Sequence, residues 1–232
     1  MNTSPIAAMF DRISPKYDAL NHLLSFNIDK VWRRKTAKIV SSFYPKTILD
    51  LATGTADLAI ELAKRNPQAH IVGVDFSEKM LEIGKTKTVK RGLDKQIELR
   101  WGDAASLSFE DNTFDIVTVA FGVRNFENLE QGLSEIRRVL KPNGLAFILE
   151  FSMPEKFPIK QVYRLYFDHI LPKIGKYVSK DAHAYSYLPK SVERFPKSLD
   201  FLRTLSNNGL IEGYARHFGW GITTLYCGTK GR

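Results

Sequence analysis

The sequence predicts an α/β fold: a doubly wound, mostly parallel seven-stranded sheet that ends in a C-terminal antiparallel hairpin. Three observations predict it. Apolar runs alternate with amphipathic stretches from Thr47 to Phe151, and strict strand–helix alternation implies parallel strands joined by right-handed crossovers. The run Ile48-Leu49-Asp50-Leu51-Ala52-Thr53-Gly54-Thr55-Ala56-Asp57 passes from apolar residues through an acid to small residues and a glycine. That is the pattern of a buried strand, a tight turn and a helix start. Two strand-like segments flank Gly219-Trp220-Gly221 at the end of the chain, as in a hairpin.

Taken in order, Phe10 to Asn21 precedes the sheet and can fold over a ligand. Asp29 to Phe43 reads as a helix carrying Arg33, Arg34, Lys35 and Lys38, so roughly residues 1–44 form a helical N-terminal lid. Strand one spans Thr47–Ala52, and the helix Asp57–Asn66 stops at Pro67. Strand two is Ile71–Asp75. Ser77 then caps a helix that starts with Glu78 and runs to Gly92. Ile97–Trp101 and Phe114–Ala120 are strands three and four. Leu129–Leu140 is helical and ends in the turn Lys141-Pro142-Asn143-Gly144, before strand five at Leu145–Phe151. The pattern then changes. Residues 152–196 hold five of the ten prolines and many aromatics, and read as a cover inserted before the helix Ser198–Asn208 and the strands Ile211–Phe218 and Ile222–Lys230. The 232 residues are expected to form one domain.

A hydrophobic share of 44% and an aromatic share of 12% mark a globular chain. No run reaches the ~18 apolar residues of a spanning helix, and the first residues show no signal-peptide pattern. The one cysteine, Cys227, excludes an internal disulfide and fits a cytoplasmic location. A net charge of +9 suits an anionic partner or a solvated basic surface.

Asp75 ends strand two about twenty residues after the Gly54 turn, the distance at which an acid accepts hydrogen bonds from a ribose diol. The turn has one glycine, whereas a pyrophosphate-binding turn needs three, so a nicotinamide dinucleotide is disfavoured. Asp50 and Asp57 add negative charge, which suits a cation. S-adenosylmethionine (SAM) fits both features. The competing reading is an ordinary strand–turn–helix with no ligand. After strand three, the Asp103 carboxylate is placed to accept from an adenine amine and the Ala104 N–H to reach a ring nitrogen; the alternative is a surface turn. After strand four come Arg124 and Asn125. Arg124 is placed to stabilise an oxyanion, or else to sit in a surface ion pair. Tyr17 is placed to bond a substrate oxygen, or else to pack as an ordinary aromatic. Ile159, Val162, Tyr163, Tyr166, Phe167, Ile170, Leu171 and Ile174 make one apolar helical stripe, interrupted by Pro172. It reads as core, as a wall for a greasy substrate, as a membrane-facing surface or as a dimer interface. The five histidines show no metal-ligand spacing, so no metal is expected.

Tyr17-Asp18-Ala19-Leu20-Asn21-His22-Leu23-Leu24-Ser25 with Trp32, the run Ala120-Phe121-Gly122-Val123-Arg124-Asn125, Arg138–Gly144, Tyr185–Pro189 and Phe195-Pro196 together resemble the menaquinone/ubiquinone-biosynthesis C-methyltransferases. That family usually has Met where Leu20 stands, His where Asp29 stands and Leu where Val123 stands. The resemblance covers nearly the whole chain and implies a Rossmann-like class I methyltransferase fold. It implies SAM as cofactor, with Thr55, Asp75, Asp103 and Ala104 at SAM-contacting positions and Gly54 and Asp50 shaping the turn. It implies methylation of a ring carbon of a prenylated quinol, demethylmenaquinol or a ubiquinone precursor; such a transfer needs a held oxyanion and a proton relay, and this chemistry assigns Arg124 and Asn125 to the substrate oxygen and Tyr17 to the relay. A prenylated acceptor also gives the basic surface and apolar stripe a shared purpose, peripheral contact with an anionic membrane. The competing functions are an O- or N-methyltransferase of another small molecule and a non-catalytic SAM-binding module. An RNA methyltransferase is supported by charge alone, without a recognition motif, so no nucleic-acid partner is expected.

Overall fold

A computed structural model describes residues 5–154, 156–165, 187 and 190–231. Its helices are α1 (Pro5–Leu24), α2 (Ile28–Ser41), α3 (Asp57–Arg65), α4 (Glu78–Lys90), α5 (Leu129–Val139), α6 (Ile159–Leu165) and α7 (Ser198–Asn207). Its strands are β1 (Thr47–Leu51), β2 (His70–Asp75), β3 (Ile97–Trp101), β4 (Phe114–Ala120), β5 (Leu140–Phe151), β6 (Leu210–Phe218) and β7 (Thr223–Lys230). The strands form one seven-stranded sheet in the order β3-β2-β1-β4-β5-β7-β6. Strands β1 to β5 pair in parallel, and β7 runs antiparallel to both β5 and β6.

Successive strand residues point to opposite faces, and this divides the apolar runs between two layers. Ile48, Ile71, Ile116, Phe147 and Leu149 pack with Trp32, Leu58 and Leu62 on the α2/α3 side. Leu49, Leu51, Val72, Val117, Val119 and Ile148 pack with Leu133, Ile136, Phe201 and Leu205 on the α5/α7 side. Both faces are covered, which is why the strands read as continuous apolar runs rather than as alternating ones. Ser77 caps α4 by accepting the Met80 N–H at 3.2 Å. Asn128 caps α5 by accepting the Gln131 N–H at 3.1 Å.

Two local features differ from the sequence reading. Lys141–Gly144 does not separate α5 from its strand; it loops out inside β5, where the register jumps from Phe114↔Leu140 to Ile116↔Leu145. Leu140, buried, already pairs with β4, so the turn residues are taken up as a bulge. A Cβ on Gly144 would stand 2.8 Å from the Lys141 carbonyl oxygen, which accounts for the glycine. The second feature is α1, one helix of 20 residues that continues through Pro15. In the cover, Tyr163 of α6 is buried against Val192, while Val162 and Leu165 are exposed. The stripe from Tyr166 to Ile174, and the residues from Tyr185 to Pro189 except Tyr187, lie outside the described residues.

Strand order reverses between β1 and β4, and ligands of open α/β sheets bind outside the carboxyl ends of the strands at such a point.

Candidate active site at the switch of the sheet

Asp50 lies in β1 at 1% exposure and accepts from the hydroxyls of Thr53 and Thr118, both at 2.7 Å. Burial pushes its carboxyl up to about 6, against the pull of those hydroxyls. After β1 the backbone enters the left-handed region at Ala52, Gly54 and Ala56. Nothing stands within 4 Å of a Cβ built on Gly54, so the residue answers the backbone angle, not crowding. Asp75 ends β2. One carboxylate oxygen accepts the Gly54 N–H at 2.8 Å and the other the Ser77 N–H at 2.9 Å. Burial raises this carboxyl to about 6 as well, against the backbone N–H groups of Ser77, Gly54 and Phe76, and a carboxylate has acceptor capacity beyond these three donors. A buried carboxylate with acceptor capacity to spare, at a strand end beside a left-handed turn, fits the ribose of SAM.

Helix α1 closes over this turn. Asp11 accepts from Ser77 Oγ at 2.5 Å, and Asp18 accepts from Thr55 Oγ1 at 2.6 Å. Lys87 Nζ of α4 donates to Asp18 at 2.8 Å, to Thr55 at 3.0 Å and to Asp57. Burial works to raise the Asp57 carboxyl, and Arg33 and Lys87 overcome it and hold it low. Asp57 is therefore a partner of Lys87, and Thr55 is bonded to α1 through Asp18. His22 bridges the helices, with Nδ1 at 2.9 Å from Asp29 and Nε2 at 3.8 Å from Asp57. Asp29 also accepts from Ser25 Oγ at 2.6 Å and pairs with Arg33. Tyr17 sits edge-on to Phe10, with centroids 5.9 Å apart. Burial raises its hydroxyl above the ordinary tyrosine value; Arg124 and Arg33 oppose this and Asp75 adds to it. The two turns also meet directly, because a Cβ on Gly122 would lie 2.5 Å from the Ala52 Cβ.

After β4, Phe121 takes a φ of 60° and a short 3-10 turn spans Val123–Asn125. The Arg124 side chain is buried, and its Nη1 donates to Glu150 at 2.6 Å and to the Phe121 carbonyl at 2.6 Å. Its Nε lies 3.3 Å from Ser191 Oγ, and its backbone N–H 3.3 Å from Glu150. Arg124 is thus in a buried ion pair, not a surface one. Asn125 accepts from the Tyr187 hydroxyl at 2.8 Å. Asp103 is exposed and accepts the Ala105 N–H at 2.9 Å; half-buried Ala104 packs on the α5/α7 layer. The Gly102 N–H bonds the Asp75 carbonyl at 3.0 Å, so this turn borders the Asp75 end of β2.

A model of the ubiE/COQ5 methyltransferase family matches residues 1–230. The chain belongs to this family. The demethylmenaquinone methyltransferase of Bacteroides fragilis is 45% identical over 225 residues, covering 97% of this chain and 92% of the relative. The ubiquinone/menaquinone biosynthesis C-methyltransferase of Geobacter sulfurreducens is 44% identical over 227 residues, covering 97% and 88%. Among solved structures, a SAM-dependent methyltransferase of Thermotoga maritima covers 96% of this chain and 99% of its own at a TM-score of 0.68 and 19% identity. The [4+2]-cyclase SpnF reaches the same TM-score at 16% identity, covering 97% of this chain and 95% of its own. At that level the likeness speaks for the fold alone.

Asp50, Gly54, Thr55, Asp75 and Arg124 thus stand at the carboxyl ends of β1, β2 and β4, with Asn125 in the turn of Arg124, Asp103 and Ala104 after β3, and Tyr17 of α1 placed where Arg124 and Asp75 both act on its hydroxyl. Sequence reasoning missed Glu150 and Lys87. Glu150 had a legible signal: it is an acid inside the apolar run Phe147-Ile148-Leu149-Glu150-Phe151, and a charge there demands a buried partner.

Proposed function

We propose that this enzyme methylates a ring carbon of a prenylated quinol with SAM, converting demethylmenaquinol to menaquinol. The observation that carries this reading is the convergence of Arg124, Tyr17 and Asp75 at the β1/β4 crevice of a ubiE/COQ5 family chain. Relatives named demethylmenaquinone methyltransferase support the acceptor.

Carbon is a weak nucleophile until the neighbouring phenol loses its proton; once that carbon has taken the methyl, its own ring proton leaves and the oxygen is reprotonated, so one proton is released overall. Bound SAM supplies the electrophilic methyl group. Asp75 would accept from the ribose hydroxyls, Gly54 and Asp50 would shape the turn around the cofactor, and Asp103 and Ala104 would hold the adenine. Arg124 holds the quinol oxygen, because charge-assisted bonds favour the anionic form. Among the described residues, Nη2 of Arg124 has no hydrogen-bond partner, so one edge of the guanidinium is open to that oxygen. Asn125 stands beside it. Tyr17, kept neutral by burial, both accepts and donates and so relays the proton. With α1 latched by Asp11 and Asp18, water is kept from a reaction in which charge disappears. A prenyl tail also suits peripheral contact with an anionic membrane.

The test is methyl transfer to reduced demethylmenaquinone and to a demethylated ubiquinone precursor, side by side, with SAM binding measured separately. Transfer to the first supports the reading. Transfer to the second alone favours the ubiquinone branch, as in the name of the Geobacter relative. SAM binding without transfer to either moves the weight to another acceptor or to a binding module.

A further inference from the structure

We propose that Glu150 is the positioning residue for Arg124, holding the guanidinium in the one orientation in which its free edge serves the substrate oxygen. The proposal rests on the quinol reading above.

Alternation along β5 places Glu150 with Ala146 and Ile148 on the α5/α7 side, opposite the buried Thr224 of β7, whose hydroxyl is engaged with Ser152 and His217. Its side chain is fully buried. A lone carboxylate is strongly disfavoured in such a layer. It is satisfied by three N–H groups, two of them from Arg124: Nη1 at 2.6 Å, the Arg124 backbone at 3.3 Å and the Phe151 backbone at 2.8 Å. Gripping both ends of one residue does more than neutralise a charge. The backbone contact fixes where the 3-10 turn sits, and the Nη1 contact fixes the side chain. The Phe121 carbonyl at 2.6 Å and the Phe151 ring 5.5 Å from the guanidinium carbon complete the seat. An unheld arginine samples many rotamers, and charge stabilisation depends on a donor already in place. Ser191, at 3.3 Å from Nε, extends the seat into the cover.

The experiment compares full-length wild type, Glu150→Gln, Glu150→Asp, Arg124→Gln and the Glu150→Gln/Arg124→Gln double variant. Glu150→Asp keeps the charge but is one methylene too short to hold both contacts, so it serves if Glu150→Gln does not fold. Three readouts are taken: kcat against pH with reduced demethylmenaquinone, SAM Kd, and the rotation rate of the Arg124 guanidinium by 15N NMR. Each Glu150 variant is expected to lower kcat about 10- to 100-fold with SAM Kd within about twofold. The rising limb of the kcat profile is expected to move up by about one pH unit, because a loosely held cation favours the phenolate less. Guanidinium rotation is expected to quicken, and the double variant to be no slower than Arg124→Gln. An unmoved pH limb with unchanged rotation, or losses that multiply in the double variant, overturns the proposal. If wild type methylates no quinol, the functional reading fails, and the NMR comparison still decides whether Glu150 positions Arg124.

Discussion

At the scale of single residues, the site works through buried charges that are paired or shared. Arg124→Ala is expected to cut turnover by about 100-fold or more while leaving SAM affinity nearly unchanged, because the guanidinium is assigned to the quinol oxygen and not to the cofactor. Steady-state kinetics with a separate binding isotherm checks it; unchanged turnover removes Arg124 from the mechanism. Asp75 gives a pH dependence with a definite sign. Its carboxyl titrates at about 6 instead of near 3.8, so the folded chain without cofactor holds this proton more tightly than the unfolded chain. Stability from this group is therefore lost as pH rises between those values. Cofactor affinity runs the other way, since ribose hydroxyls donate to the carboxylate and not to the acid. SAM binding should strengthen as pH rises through about 6. Asp75→Asn should abolish that step, and Asp50→Asn, whose carboxylate is already capped by two threonines, should keep it. Calorimetric titration from pH 5 to 8 reads both variants. The residues named from sequence were those whose type and place in a motif carried their chemistry: Asp75 after a strand, Gly54 in a turn, Arg124 after β4. Their partners were not legible, because Glu150 and Lys87 meet them only through sheet register and helix packing. Asp57 illustrates the cost: it reads as a charge for the cofactor, yet Lys87 takes it.

At the scale of elements, β1, β2 and β4 were legible almost to the residue, because a strand buried on both faces is an unbroken apolar run. The bulge at Lys141–Gly144 was not, since a turn-forming tetrapeptide reads alike whether it precedes a strand or loops out of one. Helix α1 is held on the site by side chains, so its latch is testable. Asp11→Ala and Asp18→Ala should each raise hydrogen exchange in α1, by about 1 kcal/mol of opening free energy per lost charge-assisted bond. Exchange in β1 and β4 should stay as in wild type; unchanged α1 protection would mean the helix is held by other contacts. At the opposite end of the sheet, Asp115 accepts from the N–H groups of Lys46 and Thr47 and from Lys141. Burial opposes the shift, but these donors hold its carboxyl down at about 2. A depressed acid contributes stability above its ordinary value and loses it as pH falls toward the folded value. Asp115→Asn should cost about 1 kcal/mol at pH 7 after solvent screening, with the gap to wild type closing below pH 4 in urea titrations.

At the scale of the molecule, the strand ends that form the site share an edge with exposed apolar residues. Trp220 lies in the β6–β7 turn beside that edge, because Thr223 pairs with Phe151 at the end of β5, and it is 82% exposed. Phe157, at 80%, follows the same strand end between exposed Lys156 and Lys160. No helix among the described residues is long and apolar enough to cross a membrane. The proposed peripheral contact with an anionic membrane would use this edge. Vesicles with anionic lipid should retain the protein at low salt and release it at high salt. Trp220→Ser with Phe157→Ser should weaken retention about tenfold; salt-insensitive failure of wild type to bind would remove the membrane from the account. The central claim is that the methyl group goes to ring carbon, and one measurement addresses it most directly: 13C NMR and mass analysis of the product from 13C-methyl SAM and reduced demethylmenaquinone. The account predicts a single added methyl on a quinone ring carbon. A label on oxygen, or no labelled quinone while SAM is bound, would contradict it.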